Sequence, residues 1–386
     1  MFGFGAGVEP TLHRLFVLFT LISMLAACSS REAEAPAAGG DEKSAPAAGN
    51  AAEPGQEAPA AEDKGAAKDG EKAKAEGADG LVVYSGRGAV LVDPLLKQFT
   101  EATGIPVKVR YDKSSEALAN RLATEGKDTE ADLFFAQDSG WLGALAKAGH
   151  LEPLPQGILD HVPAHHRDAG GTWVGTSGRV RVLVYSPERV AADKLPTTLE
   201  ALAQGPWKGR VGWAPSNGSF QAHVSALRHI WGEEKTREWL QAMKGLEPRI
   251  YPKNSPQVKA VSAGEIDLGW VNHYYLHKLK SADPSLKAAN HSFGVAGDAG
   301  NLMMLSGVAI TAASKKKDKA RSLVSFLLAE KAQSYFANKT YEYPTRSGTA
   351  LHPDVPPIDE RLVRADQAHL TDLGGTLKLL RELDLQ

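Results

Sequence analysis

From Gly80 onward, short runs of β-branched and aromatic residues each feed a turn rich in Gly, Ser or Asn, and then a stretch with apolar residues three or four apart. Leu81 to Tyr84 leads through "SGRG" into a helical pattern carrying Leu91, Leu95 and Phe99, with Gly104 placed to end it. Val107 to Tyr111 alternates as a strand, and Ser114 is positioned to cap a helix carrying Leu118 and Leu122. Ala131 to Phe135 runs through "AQDSG" into a helix around Leu142 and Leu145 that Gly149 closes. The same unit recurs at Arg210 to Ala214, with a helix through Phe220, Val224 and Leu227. It recurs again at Arg249 to Tyr251, where Ser255 and Pro256 begin a helix ended by Gly264, and at Ile266 to Val271 before "NHYY". Strands alternating with helices at this pace predict an α/β fold with a largely parallel sheet.

In open α/β sheets ligands lie beyond the carboxyl ends of the strands, where helix N-termini favour anions. Tyr274 and Tyr275 fall at such an end, as do Arg87, Gln137, Asn217 to Ser219, and Asn254. The formal net charge of -2 supplies no electrostatic pull toward nucleic acid or an anionic membrane surface. No "GxSxG", "HExxH" or "GxxxxGK[ST]" motif is present, and the single cysteine lies before the folded region, so a binding module is expected rather than an enzyme. A lipoprotein hydrolase is the reading such a motif would have supported.

Ahead of Gly80 the chain has a different character. His13 and Arg14 precede an apolar run from Leu15 to Leu25, the size of a signal-peptide core and too short for a membrane span. "LAAC" follows, resembling the lipobox of bacterial lipoproteins, which predicts cleavage after residue 27 and lipidation of Cys28. Residues 28–79 are mostly Ala, Pro, Gly, Glu and Lys, too poor in apolar side chains to offset the entropy of ordering. A flexible tether of that length would hold the fold on the order of 40 Å from its lipid.

Several motifs carry a family resemblance. "VYSGR" (Val83 to Arg87), "ADLFFAQD" (Ala131 to Asp138), "GTSGRVRVLVYS" (Gly175 to Ser186), "WKGRVGWAPSNGSFQ" (Trp207 to Gln221), "NHYYLHKL" (Asn272 to Leu279) and "TYEYP" (Thr340 to Pro344) resemble the ferric-iron-binding substrate-binding proteins of bacterial ABC importers. The resemblance implies a two-lobed, type II periplasmic-binding-protein fold, each lobe a mixed, mostly parallel sheet flanked by helices, with two hinge strands between. By analogy residues 80–178 and 300–345 form lobe 1, and residues 179–299 and 346–386 form lobe 2 with a C-terminal segment; from about Asp359 that segment looks helical, with Leu370, Leu373, Leu377 and Leu380 at mixed 3 and 4 spacing. It also implies a monomeric extracytoplasmic protein, anchored to the membrane at Cys28, that presents its cargo to an ABC permease and its ATPase.

Ferric ion is a hard cation that prefers anionic oxygen, and a bound cation stabilises a phenolate whose free pKa is near 10. The family's paired tyrosines match Tyr274 and Tyr275, which are therefore the expected metal ligands. The resemblance further implies a synergistic anion, carbonate or phosphate, with Arg87, Asn217, Gly218, Ser219, Asn254 and Asn272 at the matching positions. Gln137 and Asp138 are additional cleft candidates, while Ser177, Gly178 and Arg179 read as hinge or wall. His273 is expected to be structural, on the view that an extended segment would turn it away from Tyr274, and the pair His165 and His166 lacks partners at metal-site spacing. The chain departs from the best-known members at Gly88 and Gln137, where those carry a histidine and a glutamate, and near Phe220, where some carry a third tyrosine. That departure sustains an alternative: the same fold binding a phosphonate or other oxyanion without metal.

Overall fold

The computed structural model describes residues 80–112, 115–357, 363, 364, 370 and 372–386. The expected signal peptide, Cys28, the tether and Ser114 lie outside the described residues. The strands are β1 (Leu81–Ser85), β2 (Val107–Tyr111), β3 (Leu133–Ala136), β4 (Trp173–Tyr185), β5 (Val211–Trp213), β6 (Arg249–Ile250), β7 (Leu268–Asn272), β8 (Ala289–His291), β9 (Leu302–Ile310), β10 (Tyr343–Pro344) and β11 (Val363–Arg364). The helices are α1 (Ala89–Thr103), α2 (Ser115–Glu125), α3 (Ser139–Lys147), α4 (Gln156–Leu159), α5 (Leu199–Gln204), α6 (Gly218–Ile230), α7 (Glu233–Gly245), α8 (Asn254–Ala263), α9 (Tyr274–Ala282), α10 (Lys317–Leu328), α11 (Glu330–Lys339) and α12 (Leu373–Glu382).

The sheet runs in the order β2-β1-β3-β9-β4-β7-β5-β6. Its two flanks are parallel, β1 pairing with β2 and β3, and β5 with β6 and β7. The centre is antiparallel, because β9 pairs with both β3 and β4, and β4 pairs with β7. Strand β4 does two jobs in one run: Trp173–Val180 pairs with β9, and Arg181–Tyr185 pairs with β7. The largely parallel sheet expected from the alternation therefore holds at the flanks, and the two long central strands make the whole mixed.

Packing follows the same division. One pair of apolar clusters gathers β1, β3, α1, α2, α3, α10 and α11 around Phe99, Phe134, Phe135 and Phe336. A second pair gathers the elements between β4 and α9 around Trp213, Phe220, Trp239 and Trp270, with Leu379, Leu380 and Leu383 of α12 added to it. The boundaries obey local chemistry. Gly104 ends α1 at φ 71° and Gly264 ends α8 at φ 86°, backbone that a side chain would strain. Helix α8 begins at Asn254, earlier than Ser255 and Pro256 suggest.

Candidate functional site

Strand β7 is buried along its length and delivers Asn272 and His273 to the start of α9, whose first two residues are the tyrosines. The segment is already helical at His273 (φ -53°, ψ -40°), so the extended geometry expected there does not occur. His273 is nonetheless held structurally. Its Nδ1 accepts the Val180 N–H at 3.2 Å, and its Nε2 lies 2.7 Å from the Tyr341 carbonyl, which makes Nε2 the protonated nitrogen. Burial pulls its pKa down to about 4, so the ring is neutral at physiological pH. Both contacts pin the start of α9 to β4 and to the segment before β10.

Tyr274 and Tyr275 stack with ring centroids 4.4 Å apart and planes 29° from parallel. Tyr274 is buried at 6% exposure, whereas Tyr275 is half-buried. Burial, then Tyr275 and then the Glu342 carboxylate push the Tyr274 phenol well above 10, and the Arg179 guanidinium opposes them. Left alone, Tyr274 is a neutral phenol. A multivalent cation at this point would reverse that balance.

Three buried arginines surround the pair. Arg179 and Arg181 alternate along β4 and so share a face of the strand. Arg179 donates from Nη1 to the Gln137 carbonyl and, at 3.2 Å, to Ser306 Oγ. Arg181 donates to the Trp270 carbonyl and lies 4.5 Å from the centroid of the Trp270 ring, and its Nε and Nη1 are buried without a hydrogen-bond partner. Desolvation lowers its pKa to about 9 even though the two tyrosines oppose the shift. Arg87, in the turn after β1, is fully buried and grips Glu342 with both Nη atoms, at 2.9 and 2.7 Å. Both Nη atoms of Arg87, expected to face the anion, are engaged by a buried carboxylate, while its Nε is buried without a hydrogen-bond partner. Burial disfavours the Arg87 charge, but Glu342 more than offsets this and holds the pKa above its ordinary value.

The polar candidates at the other strand ends are brought together in one chain of hydrogen bonds. Asn217 Oδ1 accepts the Ser219 N–H at 3.2 Å, the Ser219 hydroxyl at 2.7 Å and the Asn254 amide at 3.3 Å. Asn272 Nδ2 donates to Ser219 Oγ at 3.3 Å, and Asn272 itself pairs with Arg181 across β4 and β7. Asn217 thus caps α6, and Gly218 opens that helix with no atom within 4 Å of where a Cβ would sit. Gln137 contributes its main chain: its N–H donates to Ser115 Oγ, and its carbonyl accepts from Arg179 and Ser306. Asp138 precedes α3 with its carboxyl raised by burial, against the pull of Arg179. Ser177 and Gly178 lie in β4 and pair with Pro344 and Tyr343 of β10. Phe220 is in the aromatic core, 5.2 Å from Trp270 between ring centroids.

Glu342 and Arg181 are the residues that sequence reasoning passed over. Arg181 had a signal in the R-V-R-V alternation of a strand, and Glu342 lay inside "TYEYP" as a lone acid between aromatics. Among the described residues no group of three or more His, Cys, Asp and Glu side chains is arranged to hold a metal ion.

Residues 128–369 match the family model described as bacterial extracellular solute-binding protein. The Fe(3+)-binding periplasmic protein of Serratia marcescens is 34% identical over 292 residues, which span 75% of this chain and 86% of that protein. The major ferric iron-binding protein of Neisseria meningitidis is 32% identical over 275 residues, 68% of this chain and 80% of that one. Among solved structures, iron-bound HitA from Pseudomonas aeruginosa superposes with a TM-score of 0.73 at 33% identity, covering 78% of this chain and 98% of that chain. The shared architecture is the two-lobed type II fold anticipated from the motifs.

Proposed function

The chain belongs to the bacterial extracellular solute-binding protein family, and on that premise we propose that it captures ferric iron with an oxyanion between two lobes, outside the cytoplasm, for delivery to an ABC permease and its ATPase. The observation that carries the reading is the stacked Tyr274–Tyr275 pair at the N-terminus of α9, set among Arg87, Arg179, Arg181 and Glu342. Two adjacent phenols offer a ferric ion two hard anionic oxygens, and the positive end of the helix dipole lowers the cost of ionising them. Lobe 1 comprises residues 80–178 and 300–345, lobe 2 residues 179–299 and 346–386, with β4 and β9 as the hinge. Closing them on the cargo would stabilise the liganded state by contacts that the open state lacks. Cleavage after residue 27 and lipidation of Cys28 would tether the protein to the envelope.

Two phenolates do not fill a ferric coordination sphere, so an anion such as carbonate or phosphate completes it. The unpartnered Nε and Nη1 of Arg181 and the Nε of Arg87 and of Arg179 are the donors that favour it. The amides and hydroxyls of Asn217, Ser219, Asn254 and Asn272 form the adjoining wall, with Gly218 leaving room at the helix start. The same arginines favour the alternative, an oxyanion or phosphonate held without metal.

Visible absorption titration of the metal-stripped protein with a ferric chelate separates the two. In bicarbonate or phosphate buffer a broad phenolate-to-iron charge-transfer band is expected to saturate at one equivalent, and Tyr274→Phe and Tyr275→Phe should each weaken it severely. A colourless titration, alike for all three proteins, together with heat on adding phosphonate, would replace iron by the oxyanion.

A further inference from the structure

Glu342 stands out among the buried charged groups because it grips Arg87 of the expected anion set and is electrostatically coupled to Tyr274 of the expected metal pair. Its carboxylate is 2% exposed, is held by both Nη atoms of Arg87, and accepts the Thr340 hydroxyl at 2.8 Å. Arg87 also donates to Ser306 Oγ, the hydroxyl that Arg179 reaches at 3.2 Å and that donates to the Gln137 carbonyl at 3.0 Å. Five chain segments thus meet at one polar node: the turn after β1, the end of β3, the middle of β4, the middle of β9 and the start of β10. Glu342 is electrostatically coupled to Tyr274, Arg179 and the half-buried Lys278, which lies one helical turn beyond Tyr274.

We propose that Glu342 is a positioning residue that sets both the geometry and the charge of the tyrosine site, holding Arg87 directly and, through the shared Ser306 hydroxyl, fixing Arg179 beside Tyr274. The proposal rests on the ferric reading above. Its physical content is a matter of sign. Three buried guanidiniums surround the phenols, and Glu342 supplies the carboxylate that neutralises one of them. Removing that negative charge makes the pocket less hospitable to a trivalent cation and more hospitable to an anion. A residue that merely supported the fold would, when altered, weaken both kinds of ligand together.

The test compares wild type, Glu342→Gln, Glu342→Asp and Ser306→Ala as full-length proteins. Ferric affinity is read by competition with citrate, and inorganic phosphate binding to the metal-free proteins by calorimetry. Glu342→Gln is expected to lose at least tenfold in ferric affinity while gaining severalfold in phosphate affinity. Glu342→Asp, which keeps the charge, should recover most of the ferric affinity. Ser306→Ala keeps the charge but breaks the relay to Arg179, so iron should weaken with no gain for phosphate. If wild type gives the charge-transfer band and Glu342→Gln binds both ligands as wild type does, or weakens both in parallel, this proposal is overturned and the iron reading stands. If wild type gives no band, the iron reading fails and this one falls with it. Should Glu342→Gln not fold, the aspartate and alanine variants decide: equal ferric affinity in wild type and Ser306→Ala, or no recovery in Glu342→Asp, overturns the positioning role.

Discussion

At the scale of single residues, the two glycines of "SGRG" show why one position is replaceable and its neighbour is not. A Cβ on Gly86 would lie 2.1 Å from Ser115 Oγ and 2.9 Å from its Cα, so the turn closes only around a glycine. Gly88 sits at the N-cap of α1 with φ -62° and ψ 143°, and a Cβ there meets nothing within 4 Å. Nothing in the backbone excludes the histidine that the family resemblance associates with that place. Gly88→His should therefore fold with a stability change within about 0.5 kcal/mol. It follows directly on Arg87, which senses both tyrosines, so the added imidazole is also expected to raise retention of ferric iron against citrate. Unchanged retention in a normally folded variant would mean that position 88 faces away from the cargo. The absence of that ligand is thus a feature of sequence, with no steric cause behind it.

At the scale of elements, α12 illustrates how a segment of unassigned role is built into the molecule. Asp372 caps it by accepting the Gly375 N–H at 2.9 Å, and the same carboxylate takes Arg228 of α6 at 2.9 Å. Thr376 shares a 2.7 Å hydrogen bond with Ser225, while Leu379 and Leu380 enter the tryptophan-rich core. Leu380→Ala should cost about 2–5 kcal/mol in denaturant unfolding, with the charge-transfer band retained at temperatures where the variant is folded. Loss of the band from the folded variant would tie α12 to the site through α6. The leucine spacing announced this helix over a longer stretch than it occupies: Val363–Arg364 is strand β11, and Leu370 precedes the helix and packs against Ala222, Ala226, Leu302 and Met304. Other elements were less legible. Strand β9 is a nine-residue run buried at every position, and a continuous apolar run carries no alternation to separate strand from helix. The antiparallel centre followed from the long-range pairing of β4 with β9 and β7, which local pattern does not encode. Within the site, the tyrosines and the asparagines announced themselves at strand ends. Arg181 and Glu342 did not, because their roles come from burial and from partners distant in sequence.

At the scale of the whole molecule, a fold that buries neutral histidines and paired charges must answer to pH. His223 of α6 is fully buried with Nε2 2.7 Å from the Ala299 carbonyl, and desolvation, reinforced by Arg181, lowers its pKa to about 3. His273 is lowered to about 4. Both folded-state values lie below the unfolded value of 6.5, so the unfolded chain takes up these protons first. The stability they represent is fully present above pH 6.5 and is lost as pH falls toward 4, each histidine contributing up to about 1.4 kcal/mol per pH unit. Glu342, held below the carboxylate range by Arg87 against the opposing effect of its burial, adds a loss that begins only below about pH 4.5. Unfolding free energy measured in denaturant should thus fall between pH 6.5 and 4.5, before Glu342 adds its own loss. His223→Gln, whose amide can still donate to Ala299, should reduce the slope in that interval, with His273 and His277 keeping the remainder, while changing little at pH 8. An unaltered slope would place the acid sensitivity elsewhere. Because His273 pins the start of α9 to β4 and to Tyr341, its protonation is expected to loosen the tyrosine pair first. Loss of the charge-transfer band ahead of global unfolding, as pH falls in the His223→Gln protein, would report that local step.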